Sequence, residues 1–387
     1  MHVLIGITYY RPHVSGLTIY VERLAEGLAG RGHTVTVLTS QYDAHLPTEE
    51  IVDGVLVYRV PVAARVSKGV LMPTLGLVAT RLARRADVLS LHLPQFDAAG
   101  IALRGRALHK PTILTYHCDL QLPPSPFNRF VDEVVFTANY AAARLANNIV
   151  AYTQDYADHS RLLSRFMDKV EVIPPPVIMP APTTEQVEEF SQQHVGTSGP
   201  IIGFAARLAA EKGVEVLVRA MPALLEKHPG IRVLFAGPYE NVLGEEDYWA
   251  RLRPEIERLG SHWKFVGTLS PAQMSAFFGA CDVLVVPSLN STESFGLVQV
   301  EAMLCGTPVV ASNLPGVRQP VRMTGMGEIV PIGDSAALAG AILKILGDKS
   351  AYVRPRAEIE AQFDLEQTLS AYEALFEREI RQARRAR

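Results

Sequence analysis

The sequence predicts an α/β protein built from two doubly wound, Rossmann-like parallel-sheet domains, and three observations predict it. Short apolar runs alternate with helical patterns along both halves of the chain. Three consecutive prolines, Pro174 to Pro176, interrupt that alternation near the middle, and such a run cannot sit inside a central strand or a helix. The length, 387 residues, suits two domains of roughly 100–200 residues each.

In order, residues 2–7 form a first apolar strand, 8–15 a loop, and 16–29 an amphipathic helix ended by Gly30 and Gly32. Strands are expected over 34–39, 55–60, 88–91, 112–116 and 148–152, with helical segments between several of them. Their unbroken apolar character fits a parallel sheet buried on both faces. After the prolines, residues 180–198 are polar and read as a loop with a short helix. The second half repeats the theme, with strands 201–205, 232–236, 264–266, 283–286 and 308–311 and helices 214–227, 246–259, 271–280 and 297–304. Pro308 is tolerable because it opens its strand. The tail 365–387 has a helical pattern ending in Arg378, Arg381, Arg384, Arg385 and Arg387, cations that suit the negative end of a helix dipole. The domains expected are 1–173, 174–364 and a helix, 365–387, that crosses back to the first.

Composition excludes several classes. With 48% hydrophobic and 20% charged residues the chain has ample material for real cores. A net charge of -3 argues against a general nucleic-acid binder. Cys118, Cys281 and Cys305 are too few and too scattered for a disulfide framework or a zinc site, and read as small buried residues. The first residues lack the parts of a signal peptide, and no apolar run reaches about 18 residues. A cytoplasmic protein is expected, with peripheral contact to the inner membrane face left open.

In open parallel sheets ligands bind at the carboxyl ends of strands, near helix N-termini. The informative residues follow strands. After strand 283–286 comes Glu293-Ser294-Phe295-Gly296-Leu297, and Glu301 stands eight residues beyond Glu293. Gly296 permits close backbone approach and opens a helix whose N–H groups can hold an anion. After strand 201–205 stand Arg207 and Lys212, two cations that suit a pyrophosphate leaving group. His117 and Asp119 end strand 112–116, Gly16 opens the first helix, and Gly267 follows strand 264–266.

The stretch from Pro287 to Ser312, with Glu-Ser-Phe-Gly, Glu-Ala-Met and Gly-Thr-Pro-Val-Val around the two glutamates, resembles the donor-site signature of retaining glycosyltransferase family 4, of the GT-B fold. The resemblance covers nearly the whole chain and is strongest over 201–319. It implies two domains facing across a cleft, the second binding a UDP- or GDP-sugar donor and the first an acceptor. Glu293 with the amides of Phe295 and Gly296 would hold the donor sugar, flanked by Ser294 and Leu297, and Glu301 the ribose hydroxyls. Arg207 and Lys212 would stabilise the departing pyrophosphate. His117 would lie near the donor sugar as a catalytic residue, with Asp119 beside it on the acceptor side. Gly267 would flank the base. Where relatives often carry two adjacent glycines, this chain has Ser15-Gly16, which leaves the phosphate contact resting on one glycine. No Asp-x-Asp triplet is present, so no obligate metal or other cofactor is expected.

From Arg59 to Cys118 nine Lys/Arg face only two acids, Asp87 and Asp97. These are Arg59, Arg65, Lys68, Arg81, Arg84, Arg85, Arg104, Arg106 and Lys110. A basic and apolar segment can lie on an anionic bilayer and reach a lipid-linked acceptor; a helix with a buried face and solvated arginines gives the same pattern. Three rivals to a transferase stand beside it. A sugar-nucleotide epimerase would lack the context of the two glutamates. A nicotinamide oxidoreductase would carry Gly-x-Gly-x-x-Gly after the first strand. A non-catalytic nucleotide-sugar-binding subunit would have lost part of the site.

Overall fold

The computed structural model describes residues 1–66, 69–122, 125–195, 199–242 and 244–385. Lys68 and Arg387, counted above among the cations, lie outside the described residues. The chain divides into two compact units, Met1–Pro176 with Leu365–Arg387, and Val177–Asp364.

The first unit contains β1 (His2–Gly6), β2 (Thr34–Gln41), β3 (Glu49–Val52), β4 (Val55–Pro61), β5 (Ala64–Val66), β6 (Gly69–Leu71), β7 (Val88–Leu93), β8 (Thr112–Tyr116), β9 (Asn148–Ala151) and β10 (Val170–Val172). Eight of them form one sheet in the order β10-β9-β8-β7-β1-β2-β4-β3. All pairings are parallel except the β3–β4 edge. All residues of β7 and β8 are buried, as two-sided coverage by crossover helices demands. Strand β3 is absent from the expected elements. Its alternating burial and its two glutamates are those of a half-solvated edge strand.

Helix Gly16–Gly30 starts at Ser15, whose side chain accepts from the Thr18 amide at 3.2 Å. It buries Thr18, Val21, Leu24, Ala25 and Leu28 along one stripe. Helix Leu365–Arg385 packs on this unit. Leu369 approaches so closely that a Cβ on Gly27 would stand 2.6 Å from it. Arg378 pairs with Glu171 at 2.6 Å, and Tyr372 Oη lies 2.7 Å from Tyr20 Oη and 2.8 Å from Thr115 Oγ1.

The second unit holds β11 (Ile201–Ala205), β12 (Arg232–Ala236), β13 (Trp263–Gly267), β14 (Val283–Val286), β15 (Val309–Ser312) and β16 (Gly327–Val330). They pair in the order β13-β12-β11-β14-β15-β16, all parallel. Phe204 stacks on Phe235 at 5.1 Å and Phe235 meets Phe265 edge-on at 5.2 Å, an aromatic row running across three strands. Strand β16 and helix Ser335–Gly347 are also additional to the expected elements, because Gly325 and Gly327 beside the strand mask its short apolar run. The polar stretch before β11 is a longer helix than expected, Thr184–His194. It is stabilised by a capping box between Thr183 and Gln186. Strand β15 begins one residue after Pro308, whose carbonyl accepts from Leu284 N at 2.9 Å.

Candidate active site

In the second sheet the strand order reverses between β11 and β14. The loops leaving those two strands flank the crevice where doubly wound sheets take ligands. They are tied together. Leu289 N donates to Glu211 O at 2.9 Å, and Gly213, with φ +69, comes so near Pro287 that a Cβ would stand 2.1 Å from its carbonyl oxygen. The short 3-10 turn Ala210–Lys212 thereby aims Lys212 at the next loop. Its Nζ donates to Glu293 Oε2, and Glu293 Oε1 accepts from Gly296 N at 3.0 Å.

Gly296 caps helix Leu297–Leu304 with φ +77. A side chain there would stand 2.6 Å from Gln299 Nε2. Fully buried Gln299 donates to Phe295 O at 2.9 Å and Val317 O at 2.8 Å, fixing the loop from behind. Phe295 is buried and packs edge-on against Phe363. Ser294 is buried, while Leu297 and Glu301 are half-buried, one helical turn apart on the same face. Ser288 Oγ and Thr292 Oγ1, on the same loop, are buried without a hydrogen-bond partner. Such groups are uncommon in native interiors.

Arg207 is half-buried between two acids the sequence did not single out. It donates to Glu211 and lies 3.5 Å from Glu245, which is buried and also accepts from Ala210 N at 3.0 Å. Glu211 sits beside Lys212 in the loop after β11. Glu245 comes from the far side of β12, and no local spacing announces it. Gly267 ends β13 with φ +78, its carbonyl accepting from Gly237 N at 2.8 Å; a Cβ there would meet nothing within 4 Å. The second unit thus gathers Arg207, Lys212, Glu293, Ser294, Phe295, Gly296, Leu297, Glu301 and Gly267 at the carboxyl edge of its sheet.

The first unit carries His117, Asp119 and Gly16. His117 follows β8 and is buried. Its Nε2 lies 2.9 Å from His92 Nδ1, and its Nδ1 faces the Tyr152 hydroxyl. Burial, and then the neighbouring His92, hold the His117 imidazole well below its usual value. Burial alone takes His92 down to about 3. Asp119 is buried too. Its Oδ1 accepts from Tyr116 Oη at 2.8 Å and Ser160 Oγ at 2.9 Å, and its Oδ2 from Arg161 N at 3.1 Å. Three internal donors give this carboxylate the work of a loop brace. Gly16 begins its helix in open space, where an added Cβ would meet nothing within 4 Å. His92, Tyr152, Tyr20 and Tyr372 around His117 carry no signal in the sequence, because they come from strands and helices distant along the chain.

The basic stretch is not one exposed strip. Arg59 is buried, donating to Pro47 O and Arg11 O and pairing with Glu50 at 2.5 Å. Arg104 turns back onto Gly76 O and Gly100 O, and Lys110 onto Ala86 O. Arg65, Arg81, Arg84 and Arg85 are exposed, with Leu71 and Leu77 among them. No helix among the described residues is long and apolar enough to cross a membrane. Nor do the described residues group three or more His, Cys, Asp or Glu side chains where a metal ion would fit. A cavity of about 470 Å³ in the first unit is lined by Arg11, Pro12, Glu22, Leu46, Pro47, Glu50 and Val52. None of the candidate site residues lines it.

The model of the family "Glycosyl transferases group 1" matches residues 186–362, and that of a "Glycosyl transferase 4-like domain" matches residues 15–176. The chain is 30% identical over 351 residues to a 2-deoxystreptamine N-acetyl-D-glucosaminyltransferase of Streptomyces fradiae, covering 85% of this chain and 82% of that protein. It is 28% identical over 365 residues to a phosphatidyl-myo-inositol mannosyltransferase of Mycobacterium leprae, covering 90% and 89%. Among solved structures it resembles Anabaena HepE in complex with UDP, with a TM-score of 0.77 and 22% identity over 97% of this chain and 100% of that one. At that identity the likeness shows the fold.

Proposed function

We propose, starting from the fact that this chain belongs to the group 1 glycosyltransferases and has the two parallel-sheet domains of the GT-B fold, that it moves a hexose from a UDP- or GDP-sugar to an acceptor hydroxyl with retention of anomeric configuration. The observation that carries the donor half is the Lys212–Glu293–Gly296 bridge at the switch point between β11 and β14. It sets a cation, a carboxylate and a helix N-terminus side by side. These are the groups that a sugar diphosphate needs: a carboxylate for sugar hydroxyls, and cations with amides for the diphosphate.

In this reading Arg207 and Lys212 take the diphosphate, exchanging part of their contact with Glu211 and Glu293 for the more highly charged ligand. Glu293, Ser294, Phe295, Gly296 and Leu297 surround the sugar, Glu301 meets the ribose hydroxyls, and Gly267 flanks the base. The family resemblance assigns His117 to the sugar and Gly16 to the phosphate. The acceptor oxygen attacks the anomeric carbon on the face the diphosphate leaves. The new C–O bond forms as the sugar–phosphate bond breaks, and the acceptor proton passes to the departing phosphate oxygen. In this reading that oxygen is the base, and no protein base is required. The uridine series is the first to try, because HepE is similar in fold and was solved with UDP.

For the acceptor we favour a lipid-linked hydroxyl at an anionic membrane surface. The support is the phosphatidyl-myo-inositol enzyme among the relatives and the exposed Arg65, Arg81, Arg84 and Arg85 with Leu71 and Leu77. The streptomycete relative is named for an acceptor with no lipid in its name, and it supports a soluble polyhydroxy acceptor as the second reading. Two experiments test these readings. A thermal-shift panel of UDP, GDP and their sugar conjugates is expected to show stabilisation by one base series, since a native-state ligand stabilises by mass action. No shift at millimolar concentration would overturn the donor reading. Co-sedimentation with anionic vesicles at low salt tests the membrane contact, and failure to sediment would favour the soluble acceptor.

A further inference from the structure

The His117 imidazole is contacted by three side chains from separate parts of the chain, and a fourth holds one of them. His92 Nδ1, on β7, lies 2.9 Å from His117 Nε2. The hydroxyl of Tyr152, just past β9, contacts His117 Nδ1. The Tyr20 ring, on helix Gly16–Gly30, stands nearly perpendicular to the imidazole with centroids 5.1 Å apart, and also packs on Tyr152 at 5.3 Å and His92 at 5.9 Å. Tyr372, from the C-terminal helix, fixes the Tyr20 hydroxyl at 2.7 Å and is itself held by Thr115 Oγ1 at 2.8 Å. All of these side chains are buried.

Donor and acceptor counting allows the protons to run in two directions, and the acidity of Tyr152 selects one. Two imidazole nitrogens at hydrogen-bond distance share one proton, so one carries N–H and the other a lone pair. A phenol is a stronger acid than a neutral imidazole, so Tyr152 donates and His117 Nδ1 accepts. The proton of His117 then sits on Nε2 and points at His92 Nδ1. His92 keeps its own proton on Nε2, toward Ser90 Oγ at 3.4 Å. Every member of this series is satisfied in one direction. The reverse direction uses the same 3.4 Å contact to Ser90, so the choice between the two rests on the Tyr152 phenol being the stronger acid.

We propose that His92 and Tyr152 are positioning residues that lock the His117 imidazole in its Nε2–H tautomer, with Tyr20 and Tyr372 fixing the wall behind it. The bearing on catalysis rests on the reading that places His117 beside the donor sugar; the lock itself does not. Held this way, both ring nitrogens are committed and the ring is a rigid, uncharged surface. It cannot take the acceptor proton, and it adds no positive charge beside an anomeric carbon that itself becomes positive. This gives His117 a role in shape and orientation, with proton transfer left to the departing phosphate. It also ties the C-terminal helix to this cluster, since Tyr372 holds the Tyr20 hydroxyl.

The test uses the full-length protein labelled with 15N-histidine, with the His117 signals identified by a His117→Gln variant. Long-range proton–nitrogen correlation spectra are expected to show a bare Nδ1 and a protonated Nε2 for His117, unchanged from about pH 5 to 8. Tyr152→Phe and His92→Leu are each expected to turn this into a mixture of tautomers. His92→Gln, which keeps an acceptor oxygen, is expected to restore much of the wild-type pattern. A wild-type His117 protonated at Nδ1, titrating in that range, or indifferent to Tyr152→Phe overturns the lock. Turnover of UDP-glucose or GDP-mannose to free nucleotide is measured in parallel. Tyr152→Phe and His92→Leu are expected to lower kcat about tenfold, the loss of one buried hydrogen bond, with KM for the nucleotide-sugar little changed. Spectra as expected with an unaltered kcat would leave the lock standing and overturn the placement of His117 at the sugar.

Discussion

Replacing Gly213 by alanine should cost the second unit about 2–4 kcal/mol, and the structure shows where that figure arises. Gly213 adopts φ +69, a left-handed conformation that costs an L-residue about 1–2 kcal/mol. The new Cβ would stand 2.1 Å from the carbonyl oxygen of Pro287. That neighbour is backbone and cannot rotate aside, so the two loops must separate by about 1 Å to reach ordinary contact. Separation breaks the bond from Leu289 N to Glu211 O, worth about 1 kcal/mol net. Both tryptophans, Trp249 and Trp263, lie in the second unit, so their fluorescence reports its unfolding. With a urea slope of about 2 kcal/mol/M, the midpoint should fall by about 1–2 M. Donor affinity should fall with it, because Lys212 and Glu293 sit on the two loops forced apart. Gly16→Ala, in the first unit, is read by its melting temperature. Its Cβ meets nothing within 4 Å, so that temperature should hold, while weaker nucleotide-sugar binding would place a phosphate against that helix start. A Gly213→Ala midpoint within about 0.3 M of wild type, read against the same slope, would refute the account of the stitched loops.

Lys212→Met should lower kcat by about 10²–10³, the loss typical of removing one group that stabilises developing charge, with little change in melting temperature; near-normal nucleotide release would remove Lys212 from the site. Asp119→Asn turns an amide N–H₂ toward one of three internal donors and should destabilise the first unit by about 1–3 kcal/mol. Its nucleotide-sugar affinity should stay as in wild type, and a selective loss of acceptor affinity at unchanged stability would instead restore Asp119 to the acceptor side. Burial pushes the Asp97 carboxyl up to about 6. The folded chain therefore holds this proton at a pH where the unfolded chain has released it. Stability from this group is greatest below the unfolded value of about 4 and is lost as pH rises through about 6. Asp97 is partly open to solvent, so solvent screening reduces the loss to about 1 kcal/mol. In urea unfolding across that pH range, Asp97→Asn should remove the decline, and an unchanged slope would count against it.

Much of this was written locally. Apolar runs flanked by helical patterns specify β1, β2, β7, β8, β11, β12 and β14, because a strand buried on both faces has no room for polar alternation. The Glu293–Glu301 stretch and the Lys212 motif could be singled out because each lies within one loop and the helix it opens. Edge elements were harder: β3 carries half-solvated glutamates, and glycines beside β16 disguise its short apolar run. What only the tertiary structure decided is how side chains from distant segments pair. Sheet order set β11 beside β14, and so joined Lys212 to Glu293. The same packing brought Glu245 to Arg207, gathered His92, Tyr152, Tyr20 and Tyr372 around His117, and buried Arg59 among carbonyls. Spacing along a chain records neighbours on one helix or strand. Contacts between strands depend on the order in which they pair, and no local pattern encodes that order.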